Sequence, residues 1–175
     1  SFYRGSGGDA EAAIALGRAM REAGADILDI GAESTRPGAA PVSEAEELHR
    51  LEPVVRALAA SGAVLSVDTR HAQVMAASLA WGAHIINDVS ALEGDGSLDL
   101  VAKTGAAVVI MHMRGEPATM QQDPHYVLAS LDVADYLARR VAACEAAGIP
   151  RHRIVVDPGI GFGKTMAHNL EILAR

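Results

Sequence analysis

Five short apolar runs punctuate the chain, and each ends in a cluster of polar or charged residues: DIGAESTRPG (residues 29–38, after Ile27 and Leu28), AVLSVDTRH (63–71), HIINDVS (84–90), AAVVIMHMRGEP (106–117) and RIVVDPGIGFGKT (153–165). Short apolar runs closed by turn residues predict strands of a buried parallel sheet. The segments between them carry helical periodicity. A first helix is expected over residues 9–23, with Asp9 as N-cap and Ile14, Leu16, Ala19 and Met20 on its buried face. Ser43 and Glu46 have the spacing of a capping box for a second helix bearing Leu48, Leu51, Val54, Val55 and Leu58, which Pro53 should kink or split. Further helices are predicted over residues 72–81, 97–103 and 126–147. Gly24, Gly62, Gly82, Gly105 and Gly148 each stand where a helix ends and a strand follows, as suits a left-handed C′ residue.

A βα repeat of this kind implies parallel pairing with right-handed crossovers, in either a doubly wound sheet or a (β/α)₈ barrel. Polar residues at the ends of five successive strands favour the TIM barrel, because a doubly wound sheet gathers its ligand groups at one switch point. A complete barrel takes about 250 residues, whereas this chain has 175 and five strand patterns. Residues 1–175 are therefore expected to form a single, incomplete α/β barrel domain of about five βα units. The chain opens on Ser1 rather than Met and stops at Arg175 within a helix-like pattern, which suggests a fragment with one strand missing upstream and further units missing downstream.

Composition narrows the function. Half the residues are apolar and the formal charge is −7, so the chain reads as globular and lacks the basic face that nucleic acid requires. No apolar run approaches the roughly 18 residues of a membrane span. Cys144, the single cysteine, excludes an internal disulfide, fits a reducing cytoplasm and reads as core filler. Among the histidines, His49, His125 and His152 read as surface residues and His112, at a strand end, as packed and hydrogen-bonded; no HExxH spacing marks a metal site.

The five strand ends present Glu33 with Arg36, Asp68, Asn87 with Asp88, His112 with Arg114, and Asp157 with Lys164. Each has an ordinary alternative: Asp68 could cap the helix after it, Asp157 could close a turn, Arg36 and Lys164 could be surface cations rather than anion ligands. Carboxylates and a carboxamide converging from several strands would instead grip the edge of a heterocycle rich in N–H groups and ring nitrogens, such as a pterin or purine. GIGFGKT is neither of the familiar nucleotide motifs, because Pro158 replaces the first glycine of a Walker A loop and Lys164 the last glycine of a Rossmann fingerprint. Its alternating glycines would still admit a flat or anionic ligand.

In order and spacing, DIGAESTRPG, SVDTRH, IINDVSA, MHMRGEPATMQ and DPGIGFGKT resemble the dihydropteroate synthase family over essentially the whole chain. The resemblance implies a (β/α)₈ barrel that joins 6-hydroxymethyl-7,8-dihydropterin diphosphate to p-aminobenzoate in folate biosynthesis, releasing pyrophosphate with the help of Mg²⁺. It also implies a cytoplasmic homodimer when the barrel is complete. By motif position it assigns Asp68, Asn87 and Asp157 to the pterin, with Met111 lining the pocket. Ser34, Thr35, Arg36 and Pro37 fall to the loop over p-aminobenzoate and pyrophosphate, and Phe162 to the aromatic beside the p-aminobenzoate ring. Arg36, Asp68 and Asp157 become the catalytic candidates.

The family's metal-binding Asn would precede Ser1, leaving no metal ligand assigned within this chain. Its pterin-contacting Lys and the Arg and His that hold pyrophosphate would follow Arg175. Tyr3-Arg4-Gly5-Ser6 departs from the family's usual Ser-Asp-Gly-Gly, and the 175 residues alone are expected to be inactive. Rival readings are a pterin-dependent methyltransferase, which has no need of the STRPG loop, and a non-catalytic pterin-binding relative.

Overall fold

The computed structural model describes residues 7–33, 42–115 and 119–175. Strands and helices alternate: α1 (Gly7–Glu22), β1 (Ile27–Gly31), α2 (Glu44–Ala60), β2 (Val64–Asp68), α3 (Ala72–Ala80), β3 (Ile85–Asp88), α4 (Ser97–Thr104), β4 (Ala107–Met111), α5 (Ala129–Ala146), β5 (Ile154–Asp157) and α6 (Met166–Leu173). The five strands pair in parallel in chain order. A doubly wound sheet would reverse its strand order partway across. An unreversed order with a helix after every strand is the arc of a (β/α)₈ barrel, here with five of its strands.

Register settles which side chains share a face. Because side chains alternate along a strand, the pairs Gly31 with Asp68, Asp68 with Asn87, Asn87 with Val109, and Met111 with Asp157 all project to one side. The opposite side carries Leu28, Leu65, Val67, Ile86, Val108 and Ile110, each at most 4% exposed beneath the helices. There the core forms two clusters, with a smaller third of Tyr126, Ala129, Val133 and Leu137 at the start of α5. One joins Leu51, Val54, Val55 and Leu58 of α2 to β1 and β2; the other joins Met75, Val101 and Cys144 to β3 and β4. Cys144 is thus the core residue that the sequence suggests. The barrel-interior side is open: Ile27, Val64 and Val155 are 51%, 41% and 55% exposed.

Several local expectations need correction. Helix α1 starts at Gly7, so Asp9 lies inside its first turn rather than capping it. Ser43 does accept the backbone N–H of Glu46, at 3.3 Å, but the Glu46 carboxylate turns to Arg50 Nε at 2.7 Å, leaving half a capping box. Pro53 does not split α2, which runs unbroken for 17 residues. Pro53 is exposed, and so is His49, the residue whose carbonyl loses an N–H partner to the proline. Helix α5 begins at Ala129, not at residue 126: the Val127 N–H bonds Asp132, the Ser130 N–H and hydroxyl both donate to Glu171 of α6, and Tyr126 turns inward. All five inter-element glycines have positive φ, as their place after each helix suggests. None of the helices described is long and apolar enough to cross a membrane.

Candidate active site at the C-terminal edge of the sheet

The carboxyl ends of β1 to β5 bring Asp68, Asn87 and Asp157 onto the open face, with Asp29 one step lower on β1. Asn87 Nδ2 donates to Asp29 Oδ2 at 3.2 Å, which turns the amide across the sheet toward β1. Asp29 is a member of the candidate site that the sequence reading did not single out. A charged residue within the apolar run Ile27–Ile30 was the available signal, since only a face not packed by helices tolerates it.

Asp68 does not cap α3. That helix has His71 at its N-cap with no side-chain cap bond, and no described residue donates to the Asp68 carboxyl. Burial first, then the neighbouring carboxylates of Asp29, Glu47, Asp88 and Glu33, push Asp68 up to about 7. Near neutral pH it can therefore act as a proton donor or an acceptor. Gly31 lies opposite it in register, and a Cβ there would sit 3.4 Å from Asp68 Oδ2, so the bare backbone leaves the carboxyl room.

Asp88 has the structural role. It points to the helix-covered side, is fully buried, and accepts from the Ser90 N–H at 2.7 Å, the Ser90 hydroxyl at 2.6 Å and the Leu92 N–H at 2.8 Å. These bonds hold a tight turn in which Ala91 and Leu92 take φ of 54° and 59°. Arg140 of α5 secures the same turn from outside, donating to the carbonyls of Ala91 and Leu92.

Asp157 closes the turn expected of it, accepting the Gly159 N–H on Oδ1 at 2.7 Å. The glycine segment that follows is tied down at many points. Gln121 donates to the Gly161 carbonyl, the Tyr126 hydroxyl donates to the Gly163 carbonyl at 2.7 Å, and the Gly161 N–H donates to Asn169. Glycine is obligatory at two of its positions. A Cβ on Gly159 would lie 2.0 Å from the His112 carbonyl oxygen, and one on Gly163 would lie 2.6 Å from that of Arg114. Met111, 3% exposed, packs beside Gly159, and Phe162 is half-buried at the rim of the same segment.

Lys164 departs from the reading of a free anion ligand: it is 3% exposed and its ammonium is turned inward to the loop. His112 matches its packed reading, 6% exposed and edge-on to Tyr136 at 5.0 Å. Burial and then the Lys164 charge hold its imidazole down at about 4, so it is neutral at physiological pH. Arg114 leaves the site as well. Its guanidinium lies 5.1 Å over the Tyr126 ring, lining a separate cavity of about 550 Å³ with His112, Tyr136 and Arg139.

Ser34, Thr35, Arg36 and Pro37 lie outside the described residues, but the ends of their segment are fixed. Glu33 accepts the Val42 N–H at 3.2 Å and faces Arg70 Nε at 3.5 Å, while Arg50 donates to the Ala32 carbonyl. Behind Asp68, Glu47 of α2 is fully buried with one oxygen 2.8 Å from His71 Nδ1 and the other unpartnered. Glu47 continues the buried stripe of Leu51, Val54, Val55 and Leu58 at helical spacing, and that periodicity could have revealed it. His49, His125 and His152 are exposed, as read.

Comparison with known proteins agrees with this arrangement. The family model described as pterin binding enzyme matches residues 1–175. The dihydropteroate synthase of Escherichia coli K12 is 49% identical over 157 residues, which are 89% of this chain and 56% of that protein. Among solved structures, Xanthomonas albilineans dihydropteroate synthase with 4-aminobenzoic acid superposes with a TM-score of 0.90 at 46% identity, covering 98% of this chain and 62% of that one. Yersinia pestis dihydropteroate synthase in a sulfonamide drug complex gives a TM-score of 0.87 at 49% identity, over 91% and 59%. The chain thus spans between half and two thirds of the length of these relatives. With a family model matched from end to end, and both sequence and fold similar to those of dihydropteroate synthases, the chain belongs to the pterin binding enzyme family.

Proposed function

We propose that these residues supply the pterin-binding part of a dihydropteroate synthase, which condenses 6-hydroxymethyl-7,8-dihydropterin diphosphate with p-aminobenzoate to give 7,8-dihydropteroate and pyrophosphate. The observation that carries this reading is the placement of Asp68, Asn87 and Asp157 on three strands at one edge of the open face. A pterin edge alternates N–H donors with ring-nitrogen and carbonyl acceptors. A carboxyl that titrates near neutrality, a carboxamide and a second carboxylate complement it.

Displacing pyrophosphate from the methylene builds negative charge on the leaving group and positive charge on the pterin. In this proposal Asp68 and Asp157 stabilise the ring as that positive charge develops, and Arg36 faces the anion. Met111 supplies an apolar wall, and Phe162, with Ser34, Thr35 and Pro37, orients the arylamine, which needs positioning more than activation. Mg²⁺ belongs to the proposal as chemistry that would neutralise pyrophosphate. Among the described residues no three His, Cys, Asp or Glu side chains converge into a metal site, so they do not fit the ion by themselves, and the roles above are those of protein groups alone. The proposal extends to a single incomplete barrel domain spanning residues 1–175, a cytoplasmic setting and a homodimer of complete barrels, with no turnover by these residues alone.

The test is a fluorescence titration of the chain with 6-hydroxymethylpterin. Saturable 1:1 binding that Asp157→Asn weakens about tenfold or more, as expected for loss of a charge-assisted bidentate partner, supports the reading. Absence of saturable binding, or equal binding by the variant, overturns it.

A further inference from the structure

Lys164 has an unusual set of partners. Its ammonium lies 2.9 Å from His112 Nδ1, 3.1 Å from the His112 carbonyl oxygen, 2.9 Å from the Gly159 carbonyl oxygen and 2.9 Å from the Phe162 carbonyl oxygen. Among the described residues no carboxylate lies within ion-pair distance of it. A buried cation held by carbonyls and a neutral imidazole is costly to desolvate, and an apolar side chain would fill the same space without that cost. What the ammonium adds is direction. Its N–H donors draw together His112, next to Met111 at the end of β4, and the loop that runs on from Asp157 at the end of β5 through Phe162.

We infer that Lys164 is a positioning residue: by pinning the Gly159 and Phe162 carbonyls to His112, it sets Asp157 and Phe162 at the distance from Met111 that a flat ligand requires. The inference rests on the pterin-site reading proposed above. It also gives the site an alkaline limit. Burial lowers Lys164 to about 8, partly opposed by Asp157. The titratable groups facing the ammonium are His112 from β4 and Asp157 from β5, with Arg114 and Tyr126 behind the imidazole. Once deprotonated, the amine has two N–H donors for four acceptors and the loop is released from one segment or the other.

The experiment is 6-hydroxymethylpterin affinity from pH 6.5 to 9.5 for the wild-type chain and Lys164→Met, with thermal unfolding recorded in parallel. Titration of the ligand itself is common to both proteins and cancels in their affinity ratio. The expected ratio is about tenfold in favour of the wild type at pH 7, collapsing toward unity by pH 9 as the wild-type pin is lost. A purely structural lysine would lower the melting temperature and leave that ratio flat across the range; a flat ratio overturns the inference. If Lys164→Met shows no cooperative unfolding transition, His112→Gln carries the test, because replacing one of the four acceptors must move the alkaline step in pterin affinity, and an unmoved step refutes the pin. A wild-type chain that binds no pterin at any pH instead overturns the functional reading, and this inference with it.

Discussion

Asp68→Asn should stabilise this chain, and by an amount that grows with pH. Asp68 is raised from 3.8 to about 7 by burial and by four neighbouring carboxylates. The folded chain therefore holds a proton there that the unfolded chain has released. The stability Asp68 contributes is full below pH 4 and is lost as pH rises through about 7, opposite in sign to an ion-paired carboxylate. Between pH 5 and pH 8 the variable part covers about 2 pKa units, or about 2.7 kcal/mol at 1.36 kcal/mol per unit. Solvent reaching the half-buried carboxyl reduces that to about 1–2 kcal/mol.

Asparagine keeps the shape and cannot ionise. Urea denaturation of both proteins at pH 5 and pH 8 should show the variant's advantage increasing by that amount. Taking the difference between proteins also isolates Asp68 from His112, whose lowered pKa acts in the opposite direction below pH 6.5. An advantage that is constant or shrinking with pH would refute the electrostatic reasoning. The same substitution should cost pterin affinity, the expected exchange of stability for function where like charges are gathered for a ligand.

Two further outcomes follow from geometry. Gly159→Ala should destabilise by at least about 3 kcal/mol, because the new methyl meets backbone oxygen at 2.0 Å on a residue with φ of 67°; chemical denaturation checks it. Asp88→Ala removes a buried acceptor of three hydrogen bonds and should cost about 3 kcal/mol or more, with hydrogen exchange accelerated at Ser90 and Leu92, while Asn87 next to it retains its tie to Asp29.

The strands were legible because each apolar run ends abruptly in polar residues, and the ends of α1 to α5 because a glycine follows each one. Barrel topology was legible because polar groups end every strand, not one pair of strands. Candidate site residues defined by their place on a strand, Asp68, Asn87 and Asp157, could be found this way. Those that act through tertiary geometry could not. A lysine after three alternating glycines gives no sign whether its stem leads outward to an anion or inward to carbonyls, and Lys164 leads inward. Asp88 differs from Asn87 only in strand parity, which the sequence leaves open until the register is known. Ser130 and Glu171 delay the start of α5 through a contact spanning 41 residues, beyond the reach of local periodicity.

The unreversed strand order has a consequence for biosynthesis. Every strand pairs with the one made just before it, so each βα unit emerging from the ribosome meets a finished edge and need not wait for distant chain. No pairing spans more than one βα unit, although each still waits for its crossover helix, as between Val108 and Ile154, and an edge stands unpaired until then. A barrel laid down in this order can grow like a spiral stair, each step resting on the last, and Asp68, Asn87 and Asp157 would reach the sheet edge in the order in which they are translated.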